Sequence, residues 1–264
     1  MTVSMTTEAR VLFERRGPVA WVTINRPEAH NAMTFQMWDR LASICEEVGA
    51  DPDLRVLVIT GAGEKAFVSG TDISEFRTFT DPQQALDYEA RIDDVYTRIE
   101  TLAKPVIAAI RGYAVGGGAG MAICCDMRYC TPESRFGIPI ARTLGNCLST
   151  NVYARLIDLI GPARTKDMIF TARLFSADQA LELGLVNEIV DGNQLEERVM
   201  EVANQIAGHA PITIEVTKAA VRYISQHRRP KRNEELILRA YMSEDFQEGV
   251  QAFLAKRKPE WKGR

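Results

Sequence analysis

Three consecutive glycines, Gly116, Gly117 and Gly118, with a fourth at Gly120, stand between two apolar stretches: Val106 to Ile110, and Ala119 with Met121 to Cys124. Read in order, these are a strand buried on both faces, a glycine turn and a helix start. Such a turn leaves backbone N–H groups at the positive end of a helix, with no Cβ to hold a ligand away. Groups of this kind stabilise an oxyanion or a phosphate. The spacing excludes two phosphate motifs: Met121 stands where the third glycine of G-x-G-x-x-G would fall, and no lysine follows as the P-loop requires. A tight turn with close backbone packing has the same composition, so a second feature is needed. The small-residue loop Ser69, Gly70, Thr71, followed by Asp72 and Ile73, supplies it, after the buried run Val56 to Thr60.

The elements that must position these loops are legible from period and punctuation. Arg10 to Arg16 and Val19 to Asn25 alternate around Gly17 and Pro18, which predicts a hairpin. Trp38, Leu41, Ala42, Cys45 and Val48 form one face of a helix that starts near Thr34. Asp81 and Pro82 start another, with Tyr88, Ile92, Val95, Tyr96, Ile99 and Leu102 on its apolar stripe. Met127 to Thr131 reads as a strand and Phe136 to Pro139 as an irregular segment. From Leu144 the pattern turns helical, with a stop at Gly161 and Pro162 and a capping box at Ser176 and Gln179. Leu185 to Val190 reads as a last strand, and helices are expected over 195–206, 212–223 and 233–256. Strand–turn–helix units thus recur without a repeat of fixed length. The fold class is α/β, with a core over 1–165 and a mostly helical region over 166–264.

The 264 residues carry a net charge of −3, which argues against nucleic-acid binding by bulk electrostatics. The basic stretch His227 to Arg232 reads as a solvated loop between helices. No basic n-region with an apolar h-region opens the chain, and no run approaches membrane-span length, so a cytoplasmic protein without membrane contact is expected. The five cysteines (Cys45, Cys124, Cys125, Cys130, Cys147) are odd in number and sit mostly in apolar segments, as reduced thiols do. With three histidines (His30, His209, His227) and no zinc spacing, no metal site is expected.

Taken together, NRPEAHNAM (25–33), AFVSGTDI (66–73), PVIAAIRGYAVGGGAG (105–120), FGIP (136–139), FSADQALELGLVNEIV (175–190) and GVQAFLAKRKPEW (249–261) resemble the crotonase, or enoyl-CoA hydratase/isomerase, superfamily. These stretches span nearly the whole chain in the family's order. The resemblance implies a spiral of ββα units with a C-terminal helical region used in trimer formation, as a homotrimer or a dimer of trimers. It implies an acyl thioester of coenzyme A as substrate, with no cofactor beyond the coenzyme A that the substrate carries. The family's oxyanion hole falls on the backbone N–H groups of Thr71 and Gly117. Substrate contacts fall on Glu28, Ala29, His30, Ser69, Gly70, Asp72, Ile73 and Gly116. The basic tail Lys256, Arg257 and Lys258 could meet phosphates or simply be a solvated helix end.

The chemistry departs from the family pattern. Of the two glutamates that hydratases of the family use, the first falls on Gly120 and the second on Ile140, or on Ala141 if the segment slips by one. Hydration needs one group to activate water and another to protonate the α-carbon, and neither residue can do so. A reaction resting chiefly on enolate stabilisation is expected instead: decarboxylation, C–C cleavage, isomerisation, or a lyase step with other acid/base groups. A catalytically silent acyl-CoA-binding protein and an acyl-CoA thioesterase are the alternatives. Asp72, beside Thr71, is the candidate carboxylate for catalysis, though in the family it is commonly a loop residue. Arg142, Asn146 and Cys147 lie in the acyl-pocket segment, and Arg142 could hold a substrate carboxylate. Cys147 as a nucleophile would need a base; a buried thiol is the competing reading. Tyr113 could donate a proton or pack as an aromatic, and Asp126 reads as a cap or ion-pair partner.

Overall fold

The computed structural model describes residues 7–226 and 234–262; the basic stretch 227–232 lies outside the described residues. A short helix α1 (Thr7–Arg10) leads into β1 (Val11–Arg16) and β2 (Val19–Ile24), an antiparallel hairpin closed where Arg16 pairs with Val19. Gly17 takes the left-handed conformation that this two-residue turn needs. Helix α2 (Phe35–Ala50) is capped by the Thr34 side chain, which accepts from the Met37 N–H. Then come β3 (Val56–Gly61), β4 (Ala66–Val68), a 3-10 turn over Ile73–Thr78, and α3 (Pro82–Thr101), started by a capping box between Asp81 and Gln84. The glycine region resolves into β5 (Val106–Ile110), β6 (Tyr113–Val115) and α4 (Gly117–Cys124). Next are β7 (Met127–Cys130), β8 (Arg135–Gly137), α5 (Ile140–Thr143) and α6 (Thr150–Thr171). The chain ends with β9 (Phe175–Ser176), α7 (Ala177–Glu182), β10 (Glu188–Ile189), α8 (Leu195–Ala207), α9 (Pro211–Gln226), α10 (Glu234–Tyr241) and α11 (Glu244–Leu254).

Two sheets result, ordered β1-β2-β3-β5-β7-β10 and β4-β6-β8-β9. Each pass of the chain lays one strand in each sheet: β3 then β4, β5 then β6, β7 then β8, with a helix before the next pass. This is the expected spiral of ββα units. Strands β2, β3, β5 and β7 run parallel, and β3 and β5 are buried along their whole length. That is why they read as unbroken apolar runs. One core cluster joins α2, α3 and α4 to the sheets and reaches Phe175, Ala177, Leu185 and Val186. A second packs α8 on Trp21, Val58 and Ile107, and a third holds α10 and α11 against Phe76 and Phe79.

Several elements differ from the sequence reading. The residues after Ile110 form a second strand, β6, and the irregular segment at Phe136 is strand β8; both are three residues long and exist because β4, β6 and β8 pair side by side. The stop expected at Gly161 is present, and α6 is two helices joined there at a kink. At φ 74° and ψ 165° Gly161 breaks the hydrogen-bond ladder, and Pro162 starts the second helix in the first-turn position that proline favours. The expected C-terminal helix is two, because Ser243 turns extended and caps α11 by accepting from the Phe246 N–H at 3.0 Å. The last strand shrinks to Glu188 and Ile189.

Candidate functional site

Thr71 lies where the second loop crosses the chain before α2. Met33 donates its N–H to the Gly70 carbonyl and receives the Asp72 N–H, each at 2.8 Å, forming a parallel bridge opposite Thr71. In a parallel ladder these bonds use one edge of the backbone, so the Thr71 N–H points from the other. Gly117 is the first residue of α4, where a helix leaves its N–H without an internal acceptor. Its neighbour Gly116, at φ 57°, gives its own N–H to the Gly137 carbonyl at 2.9 Å. Among the described residues no protein acceptor receives the N–H of Thr71 or of Gly117. The two bends touch: a Cβ built on Gly70 would sit 3.3 Å from the Gly117 nitrogen, and Gly70 has φ 108°. Here the glycines are required both for conformation and for approach.

Helices α2 and α3 fix both bends. The Trp38 indole N–H donates to Thr71 Oγ1 at 3.2 Å, and the Tyr88 hydroxyl shares a 3.0 Å hydrogen bond with the same oxygen. The Tyr96 hydroxyl donates to the Gly117 carbonyl at 2.7 Å, and its ring meets Trp38 edge-on with centroids 5.8 Å apart. Burial pushes the Tyr88 and Tyr96 phenols well above their ordinary range, so both remain protonated. Thr71, Gly117, Tyr88 and Tyr96 line one cavity of about 510 Å³, closed in part by Phe253 and Leu254 of α11.

The expected substrate residues Ala29, His30, Ser69, Gly70, Asp72, Ile73 and Gly116 line this cavity with Thr71 and Gly117. Two others do not. Glu28 is exposed, with a carboxylate oxygen 4.0 Å from the Arg26 guanidinium. Arg142, in the acyl-pocket segment, is exposed and outside the lining. The buried face of α5 is Ile140, and a residue two further along a helix points away from it. Asp72 lines the cavity, but its carboxylate is engaged: Arg26 donates at 2.6 Å, and Ser74 donates its N–H at 3.0 Å and its hydroxyl at 2.7 Å. Burial would raise this carboxyl, and the bonds from Ser74 and Arg26 outweigh it, leaving its pKa below the ordinary value. The Cys147 thiol also lines the cavity, and burial pushes it up to about 12, which opposes a nucleophilic role. Tyr113 is exposed on β6, so it neither faces the cavity nor packs in the core. Asp126 lies elsewhere, receiving Lys218 at 2.6 Å and the Val106 N–H at 2.7 Å.

The enoyl-CoA hydratase/isomerase family profile matches residues 14–264. The chain belongs to this family. It is 36% identical over 253 residues to the short-chain-enoyl-CoA hydratase of Clostridium acetobutylicum, covering 95% of this chain and 96% of that one. It is likewise 36% identical over 257 residues to a carnitinyl-CoA dehydratase of Salmonella typhi, covering 95% and 97%. Among solved structures, a methylmalonyl-CoA decarboxylase in complex with 2-nitronate-propionyl-CoA superposes with TM-score 0.87 at 28% identity, over 97% and 99% of the two chains. An enoyl-CoA hydratase/carnithine racemase from Magnetospirillum magneticum gives TM-score 0.78 at 33% identity, over 99% and 97%. The protein is thus an acyl-CoA-processing enzyme of the hydratase/isomerase type, built on the crotonase fold.

Gly120 and Ile140 both line the cavity. A Cβ at Gly120 would fall 2.3 Å from the Tyr96 hydroxyl oxygen and 2.7 Å from the ring carbon bearing it. Tyr96 therefore fills the volume that a side chain at 120 would need. Besides Asp72, the cavity presents a carboxyl that was not singled out in the sequence: Glu89 of α3, 6% exposed, accepts from the Tyr241 hydroxyl at 2.6 Å. Asn146 donates its amide to the same Tyr241 oxygen at 3.1 Å, while Asn146 Oδ1 is buried without a hydrogen-bond partner among the described residues. A signal for Glu89 existed, since 85, 89, 92, 96 and 99 fall on one helical face and 89 is its acidic member. Tyr241 joins it from α10, 152 residues later, which no local pattern reveals.

Proposed function

We propose that this enzyme binds an acyl thioester of coenzyme A and stabilises the enolate of its acyl group, the thioester oxygen being received by the N–H groups of Thr71 and Gly117. One observation carries the reading: two backbone donors from separate bends, both without a protein acceptor among the described residues, line a single cavity where the bends touch. Donors aimed in advance at developing charge need no reorganisation, and each contributes about 3–4 kcal/mol of transition-state stabilisation. Coenzyme A itself is assigned to the cavity-lining residues Ala29, His30, Ser69 and Ile73. Asp72, tied to Arg26 and Ser74, holds the loop that carries Thr71 and does not shuttle protons.

The relatives are named as hydratases, a dehydratase and a decarboxylase, reactions in which charge builds on the thioester oxygen. The absence of a carboxylate at 120 and 140 favours a reaction that leans on enolate stabilisation without the usual glutamate pair. Isomerisation, decarboxylation and C–C cleavage of the acyl chain are the candidates. A homotrimer or dimer of trimers is part of this reading; the exposed apolar side chains Ile212, Val216 and Val221 of α9 support it.

The experiment is turnover of a panel of enoyl-, β-keto- and malonyl-type CoA esters by the wild type, Gly117→Ala and Gly117→Pro. Alanine keeps the N–H and proline deletes it, so proline should lower kcat by a further factor of about 10²–10³ with little change in acyl-CoA affinity. Binding without turnover of any ester would indicate a silent acyl-CoA-binding protein, and release of free thiol without acyl rearrangement would indicate a thioesterase.

A further inference from the structure

We infer that Glu89 is the proton carrier of this site, taking over from helix α3 the work that the family assigns to positions 120 and 140. The inference rests on the enolate reading above. Glu89 and Asp72 are the carboxyl-bearing residues lining the cavity, and Asp72 is held by an arginine and a serine. Glu89 has a different setting. Its neighbours along the cavity wall are Tyr88, Ile92 and Tyr241, and Oε1 accepts from the Tyr241 hydroxyl at 2.6 Å. That phenol is fully buried and stays protonated, so it is a fixed donor that orients the carboxyl and favours its charged, basic form. Asn146 fixes Tyr241 in turn, at 3.1 Å. A base held by a second group, itself held by a third, is the arrangement that general-base catalysis uses.

The placement also relates Glu89 to the two donors. Tyr88, its neighbour in sequence, bonds Thr71 Oγ1, and Tyr96, seven residues on, bonds the Gly117 carbonyl. One helix therefore pins both oxyanion donors and presents the carboxyl. In the step this implies, the Glu89 carboxylate removes a proton from the acyl Cα of a 3-enoyl thioester. The C–H electron pair becomes the Cα–carbonyl π bond, and the negative charge passes to the thioester oxygen between the Thr71 and Gly117 N–H groups. The resulting carboxylic acid returns its proton to Cα, or to Cγ with migration of the double bond, and the carboxylate is regenerated. No other reactant is consumed.

The test incubates 3-hexenoyl-CoA with the enzyme in D2O and reads 2-hexenoyl-CoA formation and deuterium at Cα and Cγ by mass spectrometry. Wild type should exchange and isomerise. Glu89→Gln should lower both rates about 10²–10⁴-fold, with the dissociation constant for butyryl-CoA changed by less than about threefold. Wild-type rates in Glu89→Gln would overturn the proposal and leave the enolate reading standing. No exchange in wild type, despite binding, would overturn both. Should Glu89→Gln not fold, Tyr241→Phe decides. Losing the donor raises the Glu89 pKa, so the acidic limb of the pH–rate profile should move to higher pH; an unmoved limb would overturn the proposal.

Discussion

Gly120→Ala separates two effects of opposite sign. Alanine in place of glycine inside an α-helix is worth about 1 kcal/mol of stability on propensity alone. Gly120 lies within α4 and outside the positive-φ glycines, so nothing in its backbone forbids the gain. The new methyl, however, would meet the Tyr96 hydroxyl at 2.3 Å and its ring at 2.7 and 3.0 Å. Tyr96 cannot yield cheaply: it is 2% exposed, edge-on to Trp38, and bonded to the Gly117 carbonyl. Overpacking a core in this way costs about 1–3 kcal/mol, and loss of the Tyr96 hydrogen bond adds about 1 kcal/mol. The clash outweighs the propensity, and Gly120→Ala should destabilise by about 1–3 kcal/mol. Urea unfolding at fixed protein concentration reads this as a lower midpoint at unchanged slope. In a Tyr96→Phe background the closest atom is gone, so the same substitution should cost about 1 kcal/mol less. A neutral or stabilising Gly120→Ala, or an equal cost in both backgrounds, would refute the claim that Tyr96 occupies the volume beside position 120. The same reasoning says that Gly120→Glu alone will not install a hydratase glutamate.

Gly118→Ala should give no soluble folded enzyme, because its Cβ would lie 1.9 Å from the Val68 carbonyl oxygen; normal yield with a native circular dichroism spectrum would contradict this. The Asp72 carboxyl is held below its ordinary value of 3.8, so its contribution to loop stability is fully present above that value and disappears as the pH falls through the lower folded value. Amide exchange at Ser74 should report this loss in wild type and show no such pH step in Asp72→Asn. Cys147 is the one partly buried thiol of the five, yet it sits at about 12, so labelling by a disulfide reagent at pH 8 should be slow, fastest at Cys147, and slower still with butyryl-CoA bound. Arg142→Ala should leave the butyryl-CoA dissociation constant within about twofold, since the side chain is outside the cavity lining; a tenfold loss would show that it reaches the ligand.

Legibility followed the range of each signal. Thr34, Asp81 and Ser176 each announce a helix start because capping is settled within four residues, and all three side chains do cap. The buried strands β3 and β5 were readable because burial on both faces demands unbroken apolar runs. Strands β6 and β8 were not: three residues carry no period, and only their lateral pairing makes them strands. At the site, the two glycine-bearing bends could be named from composition, whereas their contact depends on Met33 bridging to Thr71. Glu89 was hidden among the charged residues of α3, since its significance lies in the facing Tyr241. Arg142 shows the converse, since it lies within the pocket segment in sequence yet stands exposed outside the lining.

The infrared carbonyl stretch of bound butyryl-CoA, labelled with carbon-13 at the thioester carbonyl, tests the central claim most directly. Two N–H donors on one oxygen weaken that bond, so the band should move to lower frequency on binding wild type, shift less with Gly117→Pro, and keep its wild-type position with Glu89→Gln. A band at its free-solution frequency in the wild-type complex would contradict the account, because the carbonyl would then lie away from Thr71 and Gly117.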